Sequence, residues 1–442
     1  MRALPLQAQP EDGAEGTPDI GRPLSCGTIT TVMKRWIATA IAMTTATTTL
    51  WSGPAHAATP SPEGYTLFGA SDTLNGVAYD SFRIPAIVAT TPGTLVAFAE
   101  GRRANEGDWG DIDLVMKVST DNGASWSALQ PVATAGTNAW GNPTPVYNPN
   151  SDPATGGTIW LFAQLTDGTI TDVSQATWDN REVFAVSKQV GATGVPSGAW
   201  TFKNLNATLK PPAYKWDAIG PGNGIRLTQT GPDKGALVIP AWGRNIYSKD
   251  GGVTWQLSTL PSRDGVEGAV AERTGGSLYR NDRPGASGFQ PYRKYLTGTL
   301  TGGYTAYQWH DGTHDTLTEP TASQGCQGSL LRYNFDGKHR LMFLHPSDPT
   351  NRRDMKISIS YDNGATWDKM SRLIPHPSGW GGTDPVEGGY SSMAKTSDYH
   401  VAALIEGSKR DPSNPDGTGA KEHFIVFHKF NLSWILNGRT EP

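Results

Sequence analysis

One pattern constrains the fold more than any other feature of the chain: S-x-D-x-G-x-x-W, present three times. The copies are Ser119, Asp121, Gly123, Trp126; Ser248, Asp250, Gly252, Trp255; and Ser360, Asp362, Gly364, Trp367. Each follows a run of strand character, such as Ile112 to Val118 or Met355 to Ile359, which places each copy on a hairpin turn between outer strands of a repeated unit. At such a turn the carboxylate accepts backbone N–H bonds, the glycine adopts positive φ and the indole wedges into the next layer. These aspartates read as structural, because three equivalent peripheral turns do not converge on one point. The segment Ser187 to Trp200 reads as a degenerate copy that lacks the Asp and the Gly.

Between the boxes lie apolar or alternating segments of strand length: Thr94 to Glu100, Thr158 to Ala163, Ala236 to Pro240, Leu341 to Leu344, Val401 to Ile405 and His423 to Phe430. With 52 Gly and 32 Pro against 18% charged residues, the composition suits many short strands joined by tight turns. The expected fold is all-β, a single six-bladed β-propeller with one short helical tail at Leu432 to Leu436. Successive boxes stand about two blade lengths apart if six units share the chain beyond residue 57. A net charge of -4 carries no footprint for nucleic acid.

The N-terminus reads differently. From Met33 the chain has the layout of a secretory signal: Lys34 and Arg35, an apolar stretch from Ile37 to Leu50, and Ala55-His56-Ala57 as a cleavage site. The apolar stretch is shorter than the roughly 20 residues a membrane span needs. The expectation is therefore a leader over residues 1–57, with translation starting at Met33, cleavage after Ala57, and a secreted propeller domain over 58–442. Cys26 falls in the leader, which leaves Cys326 without an intramolecular partner and reads it as a small buried hydrophobe.

Phe82-Arg83-Ile84-Pro85 near the mature N-terminus, followed by three boxes, resembles the bacterial exo-sialidase (neuraminidase) family, with its FRIP motif and Asp-box repeats. The resemblance runs over nearly all of residues 64–437. It implies that Arg83 is the first of three arginines gripping the substrate carboxylate, for which a guanidinium fork is better suited than an ammonium. Ala97-Phe98-Ala99-Glu100-Gly101-Arg102 resembles the strand ahead of the general-acid loop. On that loop Asp108 matches best, with Asp111 and Glu106 as competitors. In Val266 to Glu272, Glu267 matches the partner of the nucleophile, and Arg283 matches the second arginine. A three-residue loop at Thr274 to Gly276 would set residue 273 against 277, hence Glu267 against Arg283 on one face, with Arg280 pointing the other way. Arg352 is the match for the third arginine. Its neighbour Arg353 is the alternative, because adjacent strand residues face opposite ways. In Gly388-Gly389-Tyr390-Ser391-Ser392-Met393, Tyr390 matches the nucleophile. Pro375 to Glu387 is longer and richer in glycine than the family pattern and is expected to reshape the pocket rim.

The chemistry explains the residue types. Sialic acid carries a carboxylate on its anomeric carbon, so a neutral phenol approaches where a carboxylate nucleophile would be repelled. A tyrosine, with an ordinary pKa near 10, needs a hydrogen-bonded base. The resemblance thus implies a retaining exo-α-sialidase that acts on sialylated glycans, glycoproteins and gangliosides as a monomer, with no cofactor, metal or membrane span. A trans-sialidase would use the same residues. An inactive glycan-binding propeller would be expected to have lost one of them.

Overall fold

The computed structural model describes residues 62–442 except 135, 286–289, 313–315, 368, 378–385 and 411–419. The leader, Cys26, the Met33 start and the cleavage site after Ala57 lie outside the described residues, as does most of Pro375 to Glu387.

The protein is all-β and propeller-like. Four sheets are separate four-stranded antiparallel meanders, one of them carrying a fifth short strand, and a fifth sheet has eight strands. That larger sheet is two antiparallel runs, Ser81–Ala89 to Gln130–Ala133 and Ala139–Pro149 to Pro196–Asn204, which join at one parallel pair, Ile112 with Ala139. The first strand of each run packs on the next: Ser81–Ala89 on Ala139–Pro149, then Ile225–Arg226, Gly265–Glu272, Ser329–Arg332 and Val386–Lys395, which returns to Ser81–Ala89. These strands form a closed ring. The first and last described strands complete the last sheet, where Tyr65–Phe68 pairs with Ala420–Asn431. Each of the six expected strand segments coincides with a strand, Thr94 and Ala236 alone lying one residue ahead of theirs, and the tail helix is Leu432–Leu436. Among the described residues no helix is long and apolar enough to cross a membrane.

The boxes sit where the pattern put them, on the turn between the third and fourth strands of three runs. Their bonding is nearly identical. In the second, Ser248 Oγ donates to Asp250 Oδ1 at 2.7 Å, Gly252 N donates to Ser248 Oγ at 2.8 Å, and Thr254 N donates to Asp250 Oδ1 at 2.9 Å. The tryptophans fill the seams between sheets. Trp255 meets Phe162 at a ring separation of 4.6 Å, and Trp126 meets Phe427 at 5.3 Å. Trp367, fully buried, lies 5.8 Å from Tyr279. In the degenerate copy Trp200 does the same against Phe98, at 6.2 Å, although no Asp turn precedes it.

Candidate active site

A polar cavity of about 260 Å³ opens at the end of the ring where the ring strands begin. Arg83, Asp108, Glu267, Arg283, Arg352 and Tyr390 all line it. The competitors Asp111, Glu106 and Arg353 do not.

Arg83 reaches the cavity through a break in its own strand. Pairing with Leu95–Arg102 holds as far as Arg83–Glu100, slips, and resumes at Ala86–Phe98. Pro85 has no N–H to offer the ladder, and Ile84 sits at φ +55°, a conformation a β-branched residue adopts only when held there. The hold is Glu406, whose Oε1 accepts from Ile84 N at 2.9 Å and whose Oε2 accepts from Arg83 Nη2 at 3.3 Å and from Tyr390 N at 3.0 Å. Burial alone would raise the Glu406 carboxyl. Arg83 and the two backbone donors outweigh it and bring it down to about 2. One carboxylate thus fixes both the first arginine and the tyrosine backbone.

The strand carrying Tyr390 owes its place to the two glycines before it. A Cβ on Gly388 would lie 2.2 Å from Arg352 O, and one on Gly389 would lie 2.5 Å from Glu406 Oε2. The Tyr390 hydroxyl donates to Glu267 Oε1 and accepts from Arg283 Nη1 at 3.0 Å. Arg283 Nη1 also meets Glu267 Oε2 at 2.9 Å. Burial, then the Glu267 carboxylate, pushes the phenol well above its ordinary pKa, against the pull of Arg283 and Arg352. The tyrosine is therefore protonated at rest, with its proton aimed at Glu267.

The hairpin register holds as expected from Arg273, whose N donates to Ser277 O at 2.7 Å, out to Gly268 opposite Asp282. It then shifts, so that Gly265 faces Pro284. The side chains of Glu267 and Arg283 meet across this bulge. Arg280 is turned to the other side, bonded to Asp282, Asn245 and the backbone of Ala241 and Arg244. Arg352 and Arg353 do not alternate on a strand as expected, because they precede strand Met355–Ser360 and lie in a loop. There Arg353 is exposed and paired with Asp348 at 2.7 Å. Arg352 is turned inward, donating to Gly325 O at 3.1 Å, with its guanidinium 5.3 Å from the Tyr390 ring. It has no carboxylate partner among the described residues, so its charge is available to an incoming anion. Below, Cys326 packs against Ile84 and Tyr390, its thiol pushed up to about 12 by burial.

Asp108 stands across the cavity on the loop after strand Leu95–Arg102. Its Oδ1 lies 2.8 Å from Arg102 Nη2 and 3.6 Å from Arg83 Nη1, and its side chain is 68% exposed. Desolvation favours its neutral form, but Arg102 and then Arg83 prevail and hold the carboxyl below the usual range. Arg102 in turn is gripped by buried Glu100 at 2.6 Å and donates to the Glu106 carbonyl, pinning the loop at both ends. The remaining wall includes Trp140, Asn142, Trp216 and Arg181, whose guanidinium lies 3.9 Å from the Trp216 ring.

Sequence reasoning assigned no role to Arg102, Glu100, Arg181 or Glu406. Arg102 and Glu100 belong to the stretch quoted for the acid loop and could have been found from it. Glu406 lies in strand His400–Arg410, outside any motif, and only the fold brings it to Arg83.

A family model for a BNR repeat-like domain matches residues 93–402. An exo-alpha-sialidase of Aspergillus fumigatus is 40% identical over 416 residues, covering 87% of this chain and 94% of its own. One from Arthroderma benhamiae is 38% identical, covering 92% and 99%. The solved structure of the Hadza microbial sialidase Hz136 aligns with a TM-score of 0.65 at 25% identity, over 84% of this chain and 69% of that one. The likeness therefore extends beyond bacterial proteins to fungal ones.

Proposed function

The chain belongs to the sialidases with BNR repeats and, as an exo-α-sialidase, hydrolyses terminal sialic acid from sialylated glycoconjugates; we propose that it does so with net retention, through a covalent sialyl-tyrosine. The observation that carries this reading is the Tyr390–Glu267–Arg283 cluster at the cavity floor.

Arg83, Arg283 and Arg352 bind the substrate carboxylate and orient the anomeric carbon above Tyr390. The Tyr390 hydroxyl oxygen bonds to that carbon as its proton passes to Glu267, and Arg283 steadies the charge that develops between them. The bond to the aglycone oxygen breaks, and that oxygen takes a proton from Asp108. Asp108 is ionised in the free cavity. The substrate carboxylate, by engaging Arg83, removes part of the charge that keeps it so, and the acid form becomes accessible in the complex. Asp108 then accepts a proton from water attacking the same carbon, and Tyr390 leaves with the proton held by Glu267.

Counting the eight-stranded sheet as two blades gives a six-bladed ring, supported by the one-pair joint and by the closed circuit of first strands. Secretion of a chain beginning near Ala58 is proposed from the leader pattern. N-terminal sequencing of exported protein that found residues before Met33 would overturn it.

Release of fluorophore from an aryl sialoside tests the activity, and an inactive lectin would give none. Adding lactose as acceptor separates hydrolysis from transfer, since a transferase would form sialyl-lactose in place of free sialic acid.

A further inference from the structure

The ring strands that begin at the catalytic cavity end at a second cavity, of about 370 Å³. Its lining includes Arg226, Glu272, Arg332 and Lys395, each the last residue of its ring strand. Glu267 and Glu272 belong to the same strand, so the two cavities stand roughly 17 Å apart at about 3.3 Å per residue. They share no lining residue. The axis between them is filled by bonded polar side chains. Asn223 Nδ2 donates to Ile87 O at 2.6 Å and to Met393 O at 3.0 Å, and Gln327 Oε1 accepts from Ser391 N at 2.9 Å.

The charges at this mouth do not balance. Glu272 is saturated, accepting from Thr228 N at 2.9 Å, Gln229 N at 2.8 Å and Arg332 Nη1 at 2.7 Å. That accounts for Arg332. The side chain of Arg226, an exposed residue, makes no hydrogen bond or ion pair among the described residues, and Lys395 donates to a neutral carbonyl, Asn334 O, at 2.9 Å. Two cations without a carboxylate partner therefore face a cavity that Ile225, Ala271 and Leu331 line with hydrocarbon. From this we infer that the mouth opposite the catalytic cavity is a binding site for a small organic carboxylate. A guanidinium fork and an ammonium complement the two carboxylate oxygens, and the aliphatic wall takes the carbon body. A neutral molecule would leave both charges unmatched, and an inorganic anion would leave the apolar wall wet.

Calorimetric titration of the full chain with cyclohexanecarboxylate tests this, with the neutral cyclohexanecarboxamide and inorganic phosphate as controls. Binding of the carboxylate is expected in wild type and in Arg352→Ala, whose catalytic cavity has lost its free arginine. Binding is expected to weaken about tenfold or more in Arg226→Ala and in Lys395→Met, each losing one charge-assisted contact. Both variants should release fluorophore from an aryl sialoside at the wild-type rate, which also shows that they fold. No binding to wild type, loss of binding in Arg352→Ala alone, or equal affinity for the amide or for phosphate would overturn the assignment.

Discussion

Asp250 at a peripheral turn and Asp108 in the cavity are the same side chain in opposite settings. Asp250 is satisfied by its own neighbourhood: Ser248 and Thr254, two residues before it and four after. Asp108 faces Arg102, the last residue of the strand before its loop, and Arg83, from a different strand. The first arrangement holds a turn and would do so in any β-hairpin. The second exists only in the folded ring and leaves a carboxylate beside the charges a substrate would disturb. Local satisfaction makes a structural aspartate, and an environment that substrate alters makes a reactive one.

Substitutions in the two settings should therefore separate chemistry from stability. The largest effect is expected for Tyr390→Phe, with kcat for sialyl-lactose falling by about 10³-fold or more while thermal stability holds. Mass spectrometry after reaction with a fluorinated sialosyl donor should find the label on Tyr390 in the parent and nowhere in the variant. A label on another residue would displace Tyr390 as nucleophile.

Next comes Asp108→Ala, expected to slow natural sialyl-lactose by about 10² to 10⁴-fold. An aryl sialoside, whose leaving group departs without a proton, should lose far less in the bond-breaking step. Equal losses on both substrates, with formation of the sialyl-enzyme rate-limiting, would remove Asp108 as the acid, and Asp111→Ala would then be the variant to measure.

Arg352→Ala should raise KM and lower kcat/KM by about 10 to 10²-fold, the loss of a charged contact of roughly 1.5 to 3 kcal/mol. Arg353→Ala should change neither. The reverse pattern would mean that the loop turns the other arginine to the substrate.

The smallest effect belongs to the turns. Asp250→Ala should cost about 1 to 2 kcal/mol of stability in thermal melts and leave kcat untouched. The Asp250 carboxyl is held at about 2: burial works against this, but the bonds from Thr254 and Ser248 outweigh it. Because its folded pKa lies below the unfolded value near 3.9, the stability it lends is present above about pH 4 and is lost as pH falls toward 2. The melting temperature of Asp250→Ala should fall less steeply than that of the parent across this window. Parallel curves would show that the carboxylate contributes nothing in its ionised form.

The same contrast explains what could be read from the chain. The boxes were legible because the bonds from Ser, Asp and Gly that shape each turn close between near neighbours in the chain, and the tail helix and six strand segments because their patterns are equally local. The pairing of Glu267 with Arg283 was legible because both lie on one hairpin, although the bulge at Gly268 was not. Glu406 was hidden, since its partners Arg83, Ile84 and Tyr390 lie in other strands. Strand alternation would let only one of Arg352 and Arg353 reach the axis, with the family match favouring Arg352, but a loop separates them, the Arg352 backbone packing under Gly388.

The closing of the last sheet by Tyr65–Phe68 bears on how the molecule is made. Of the described strands this one is synthesised first and its partner Ala420–Asn431 last. Joining distant ends adds little to the thermodynamic cost, since closure entropy grows only with the logarithm of length. It matters for timing, because contacts between remote segments form slowly. Until the strand docks, Ala420–Asn431 presents an open edge that invites pairing with another chain. The first box lies at this junction: Tyr65 donates to Gly123 O at 2.9 Å and accepts from Trp126 Nε1 at 2.9 Å. A turn finished early in synthesis thus serves as the latch for the ring's final closure.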